Sequence, residues 1–211
     1  MPAAKQQRKR LSPELRRAQI LDAAAQLIIE QGYLPLPIER LARTAGSSKA
    51  LIYTYFPTQY ALFNAVLERE LQSLVTAGLI TASQVEDLDQ AAVLCGMLYF
   101  EHVARSGPLL QIVTADLYMS GHEDERLVSE CNSLRQRLAK LVHTTLKLPM
   151  REAHAAVDMM IAIPQESASL VFAGETPPAV GRQICHTLLL SSLEALRSPE
   201  RLPAAGGHEG A

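Results

Sequence analysis

At 211 residues, with 48% apolar, 20% charged and 5% aromatic side chains, the chain carries enough apolar mass to bury a proper core without covalent staples. Its three cysteines, Cys95, Cys131 and Cys185, are odd in number and far apart, which fits neither a disulfide framework nor a CxxC zinc site; no run of 18 apolar residues and no signal-type apolar core is present, so the expectation is a soluble, cytoplasmic protein with no membrane partner. The net charge of −2 hides an asymmetry: residues 1–78 hold ten Lys or Arg against six Asp or Glu, while residues 79–211 hold ten against sixteen, so a polyanionic partner suits the front of the chain alone.

Residues 1–12 are polar and basic, with too little apolar surface to offset the entropy of ordering, and read as a flexible arm. Ser12 then serves as an N-cap, Pro13 as the first helical residue and Glu14 as a first-turn acid; Ile20, Ala24 and Leu27 continue at helical spacing until Gly32. Ile38, Leu41, Ala42 and Ala45 give a short second helix. Gly46 breaks it, Ser47 and Ser48 form a turn and cap, and a third short helix covers about 49–55 before Phe56-Pro57. Two short helices joined by a tight Gly-containing turn make a helix-turn-helix, and residues 13–57 are expected to form the DNA-binding domain.

From Thr58 a connecting helix runs to about residue 78, with Phe63, Val66, Leu67, Leu71 and Leu74 on one side. Beyond it, helices are expected near 84–105, 108–120, 124–147, 150–173 and 179–197, divided at Gly- and Pro-containing breaks, with Pro164 kinking or splitting its helix. The fold class is all-α: a three-helix head followed by a helical body over 79–197, about nine helices in total, and a disordered tail over 198–211.

The third helix has the character of a major-groove reader. With Ile52 and Phe56 turned inward, Ser48, Lys49, Ala50 and Tyr53 remain outward; Lys49 suits a guanine edge or a phosphate, Ala50 and Leu51 a thymine methyl. Tyr53 and Tyr55 offer hydroxyls to phosphate, and Thr54 and Gln59 complete the candidate DNA contacts. Lys5, Arg8, Lys9 and Arg10 on the arm suit a phosphate ridge or a minor groove, the alternative being a solvated tail. Glu39 suits cytosine N4, or solvent.

The spaced set Arg17, Ile20-Leu21-x-Ala23-Ala24, Gly32-Tyr33, Ile38-x-x-Leu41-Ala42, Ala45-Gly46, Ile52-Tyr53-x-Tyr55-Phe56 and Ala61-Leu62 resembles the tetracycline-repressor (TetR) family over about 50 residues. That resemblance implies a bacterial dimeric regulator, most often a repressor, whose body over 79–197 is the effector-binding and dimerisation domain. The chain departs from the family pattern at Leu36-Pro37, where a hydroxyl usually caps the second helix; at Ser47, where an apolar turn residue is usual; and at Gln59 and Tyr60, where Lys and an acid are common. One ordinary phosphate cation is thereby lost.

A single helix-turn-helix reads only a few base pairs, so a palindromic operator and a homodimer are expected, with half-sites about 34 to 36 Å apart. Val157, Ile161 and Ala168, with Ile184, Leu188, Ser192 and Ala195, are the candidate dimer face. Cys95, Tyr99, His102, Leu117, Tyr118 and Met159 are candidate effector contacts for a moderately apolar small molecule, each with core packing as its alternative. No GxSxG, GxGxxG, P-loop or HExxH pattern occurs, so no enzyme activity, cofactor or metal is expected. The rival reading is a helical adaptor or ligand-binding protein whose helix-turn-helix does not read DNA.

Overall fold

The computed structural model describes residues 12–198; Lys5, Arg8, Lys9 and Arg10 lie outside them. Ten α-helices and one 3-10 turn are present among the described residues, with no strand. The helix beyond the nine expected is the single turn Leu79–Ala82, launched from Gly78. By their internal contacts these residues fall into two compact units, and the division lies within one helix, between Glu68 and Arg69.

The first unit comprises residues 12–68 and Leu109–Glu123. Helix α1 (Pro13–Gln31) starts where the Ser12 hydroxyl accepts the Leu15 N–H at 3.3 Å and stops at Gly32, whose φ of 76° lets its N–H reach the Ile28 carbonyl. Ile20, Leu21, Ala24, Leu27 and Ile28 line its buried side. Helix α2 (Ile38–Thr44) buries Leu41 and Ala42. The turn to α3 (Lys49–Tyr55) needs Gly46 at φ 54°, a left-handed conformation costly for other residues.

Seven residues are too few for an isolated helix in water. Helix α3 is held instead by Ile52 and Phe56, both essentially inaccessible; at roughly 2 kcal/mol per buried side chain they supply about 4 kcal/mol. The Ser48 cap adds to this by accepting the Leu51 N–H at 3.1 Å. Helix α4 (Gln59–Thr76) follows, begun by Thr58 accepting the Ala61 N–H.

The unit is completed from a distant stretch of chain. Helix α7 (Leu109–Ala115) packs against α1, burying Leu109 and Val113, and the 3-10 turn Leu117–Met119 buries Met119. The sequence division into a continuous head and a continuous body assigned these residues to the body. Their apolar side chains carry no mark of which core they join.

The second unit comprises Arg69–Pro108 and 124–198. It holds α5 (Leu79–Ala82), α6 (Leu88–Ser106), α8 (Glu125–Leu146), α9 (Met150–Phe172) and α10 (Pro178–Arg197). Asp87 caps α6 through the Gln90 N–H, and Asp124 caps α8 through the N–H groups of Arg126 and Leu127. Helix α6 packs on α9 and α10, and α8 on α9. One apolar cluster gathers Leu88, Val142, Ala153, Val157 and Leu193; another gathers Phe100, Val103, Ala168, Cys185 and Leu189. Pro164 does not divide α9, which runs unbroken through it.

Candidate nucleic-acid interface

The helix-turn-helix presents Ser48, Lys49, Ala50, Tyr53 and Thr54 to solvent, with Leu51, Tyr55 and Gln59 half-buried. Several of these groups already have partners. Ser48 caps α3, and the Thr54 hydroxyl donates to the Ala50 carbonyl at 2.9 Å. Lys49 pairs with Glu39 across the turn, and that hydrogen bond holds the Glu39 carboxyl below the usual carboxylate range. Both partners are exposed, so the pair is screened, and a phosphate can displace the carboxylate from Lys49. The sequence set Lys49 and Glu39 separate roles on DNA; in the free protein they satisfy each other.

The segment leading into α2 is the feature that sequence reasoning missed. Pro37 stands at the cap position and supplies no side-chain bond. The backbone donors just before it are taken by side chains from elsewhere. The Leu34 N–H donates to Asp116 Oδ2 at 2.8 Å, and the Leu36 N–H donates to Gln59 Oε1 at 3.0 Å. Gln31 Nε2 donates to the carbonyls of Tyr33 and Pro35. Gln59, expected to face DNA, thus has its carbonyl oxygen committed within the protein. Asp116 lies 82 residues from its partner, and no local pattern announces such a contact.

Near the start of α4, Tyr60 stacks on Tyr118 with ring centroids 4.8 Å apart and on His122 at 3.8 Å. Phe63 meets Tyr118 edge-on, and Asn64 Nδ2 donates to the His122 carbonyl at 2.9 Å. Arg17 rests over the Phe56 ring, its guanidinium carbon 5.4 Å from the centroid.

The six effector candidates are divided between the two units. Leu117 and Tyr118 belong to the first unit, Leu117 with 89% of its surface exposed. Met159 is 72% exposed. Cys95, Tyr99 and His102 do share one side of α6, at i, i+4 and i+7. Burial pushes the Cys95 thiol up to about 11 and the Tyr99 hydroxyl up to about 12, so both are neutral at physiological pH. Tyr99 Oη lies 3.3 Å from Gln165 Oε1.

The dimer candidates also divide. Val157 and Ala168 are buried in the chain's own clusters and Ile161 packs against one of them, because a small or branched residue on a helix suits an intrachain contact as well as an interchain one. Ile184 and Leu188 are exposed, together with Val180 on the same face of α10 and Leu170 and Phe172 at the end of α9. Ala195 is exposed; Ser192 is half-buried, its hydroxyl donating to the Leu188 carbonyl.

A capped helix after a short Gly-containing turn, with no strand among the described residues, defines the helix-turn-helix class. The family description "Bacterial regulatory proteins, tetR family" matches residues 20–66. The nucleoid occlusion factor SlmA of Cronobacter sakazakii is 30% identical over 147 residues, covering 68% of this chain and 73% of that one. The chain belongs to the TetR family. Its matches span 44% and 64% of the first two curated relatives. In fold it is similar to a TetR-like regulator from a Rhodococcus species, with a TM-score of 0.65 at 21% identity over 88% of this chain and 99% of that one. It is also similar to the Bacillus subtilis regulator FadR solved with stearoyl-CoA, with a TM-score of 0.54 at 21% identity over 86% and 97%. Among the described residues no helix is long and apolar enough to cross a membrane.

Proposed function

We propose that this chain is a cytoplasmic, sequence-specific DNA-binding regulator that represses transcription by binding a palindromic operator as a homodimer, and that a small, moderately apolar effector releases it. The observation that carries the reading is α3: a capped helix held by two buried side chains, with Tyr53, Ala50 and Lys49 left outward. Such a helix reads base edges with short side chains and phosphates with hydroxyls. The exposed apolar residues Val180, Ile184 and Leu188 on α10 support self-association. The buried Cys95 and half-buried Tyr99 on α6, and the stearoyl-CoA bound by FadR, favour an effector with an apolar chain.

The test is selection of duplexes from a random pool, followed by affinity against salt for wild type and Tyr53→Ala. A palindromic winner, a steep salt dependence and a loss of about tenfold on removing Tyr53 support the regulator. No enrichment at any salt concentration rejects it in favour of an adaptor.

A further inference from the structure

We infer that Asp116 is a positioning residue for DNA reading: its carboxylate pins the segment that launches α2, and so sets where the helix-turn-helix stands against the groove. The inference rests on the regulator reading above and adds a residue from outside the helix-turn-helix.

The argument begins with what α2 lacks. Pro37 gives it no side-chain cap, so the direction of the helix is fixed by the residues before it. Leu34 and Leu36 in that segment are both buried. Their two N–H groups are the available handles, and each is held by one side chain: Leu36 by Gln59 at 3.0 Å, Leu34 by Asp116 at 2.8 Å. The second is charge-assisted, roughly twice as strong as a neutral bond.

Asp116 also bonds in the other direction. Its Oδ1 accepts the Tyr118 N–H at 2.9 Å, capping the 3-10 turn. The ring of Tyr118 stacks on Tyr60, the residue after Gln59. Leu34, Asp116, Tyr118, Tyr60, Gln59 and Leu36 therefore form a closed circuit, in which the carboxylate joins two backbone amides far apart in sequence. Base readout demands donor–acceptor distances near 3 Å, so a shift of about an ångström in α2 and α3 is enough to spoil it.

Charge separates this role from simple electrostatics. An acid on a DNA-binding unit repels phosphate, so its removal on Coulomb grounds alone tightens binding or leaves it unchanged. A positioning acid gives the opposite sign.

The experiment measures affinity for the selected duplex in wild type, Asp116→Ala, Asp116→Asn and, as a charge control on the same stretch, Glu123→Gln. Amide exchange at Leu34 and Leu36 is followed in the free proteins. Expected results are a loss of about tenfold for Asp116→Ala, a smaller loss for Asp116→Asn, which keeps one accepting oxygen, and unchanged or tighter binding for Glu123→Gln. Leu34 exchanges faster in Asp116→Ala while amides of α9 and α10 keep their protection, which separates release of the segment from unfolding. If wild type binds and Asp116→Ala binds as well or better, or if Leu34 exchange is unchanged, the role of Asp116 is overturned alone. If wild type selects no duplex, the regulator reading fails and the role in DNA reading fails with it, whatever the amides do.

Discussion

Glu70 on α4 and His102 on α6 meet as a buried carboxyl–imidazole contact, Oε2 and Nε2 lying 3.2 Å apart with 6% and 3% of the two residues exposed. Burial alone raises a carboxyl, but the imidazole beside Glu70, with Arg69 adding to it, more than offsets that and holds the group below its ordinary value. A carboxyl depressed by folding contributes stability above its unfolded pKa and loses it as pH falls through the folded one. Wild type is therefore expected to lose stability on acidification below the usual carboxylate range, and Glu70→Gln to show a flatter profile there. Urea unfolding at a series of acid pH values reads this; equal slopes reject it. His102→Ala is expected to cost roughly 2 kcal/mol, since it removes the imidazole facing a buried carboxyl.

Gly181 lets α9 and α10 approach closely. A Cβ placed there meets Val171 Cγ2 well inside van der Waals contact, with the Ser167 carbonyl 3.4 Å away. Valine is stiff at χ1 and cannot swing clear. Gly181→Ala is expected to destabilise by about 1 to 3 kcal/mol, against the small gain that alanine brings to a helix elsewhere. Adding Val171→Ala should recover part of the loss in a double-mutant cycle of unfolding free energies. Strict additivity of the two changes counts against the contact.

Ser48 caps α3 through the Leu51 N–H. Ser48→Ala should cost about 1 kcal/mol and Ser48→Gly only a few tenths. If Ser48→Ala leaves thermal stability unchanged, the hydroxyl is not acting as a cap.

The exposed row Val180, Ile184 and Leu188 gives the proposed dimer a direct check. Leu188→Asp places a charge on that row and is expected to yield monomers in analytical ultracentrifugation, with the helical content of wild type retained. A dimer of unchanged dissociation constant moves the interface elsewhere.

Local signals made the head legible. Ser12-Pro13-Glu14 and Gly32 mark both ends of α1, and Gly46-Ser47-Ser48 marks the turn, because caps and left-handed positions restrict residue type within a few positions. The long helices of the second unit followed from periodicity in the same way. Periodicity says that a face is buried, however, and not what buries it. Val157 and Ala168 look as suitable for a partner helix as for their own core, and Tyr118 looks as suitable for a ligand as for Tyr60. Asp116 was invisible for a related reason: a lone acid between apolar residues gains its meaning from an amide 82 positions away.

Because α7 and the turn after it complete the first unit, the reading head has no single pair of cut points. A fragment ending near residue 78 leaves the α1 surface that meets α7 bare and the Leu34 amide without its acceptor. Exchanging this unit with that of another regulator means moving two separate pieces of chain, one of which falls in sequence between α6 and α8 of the second unit. Recombination at a single junction therefore yields a hybrid mismatched with itself, which ties the inheritance of the head to that of the chain following it.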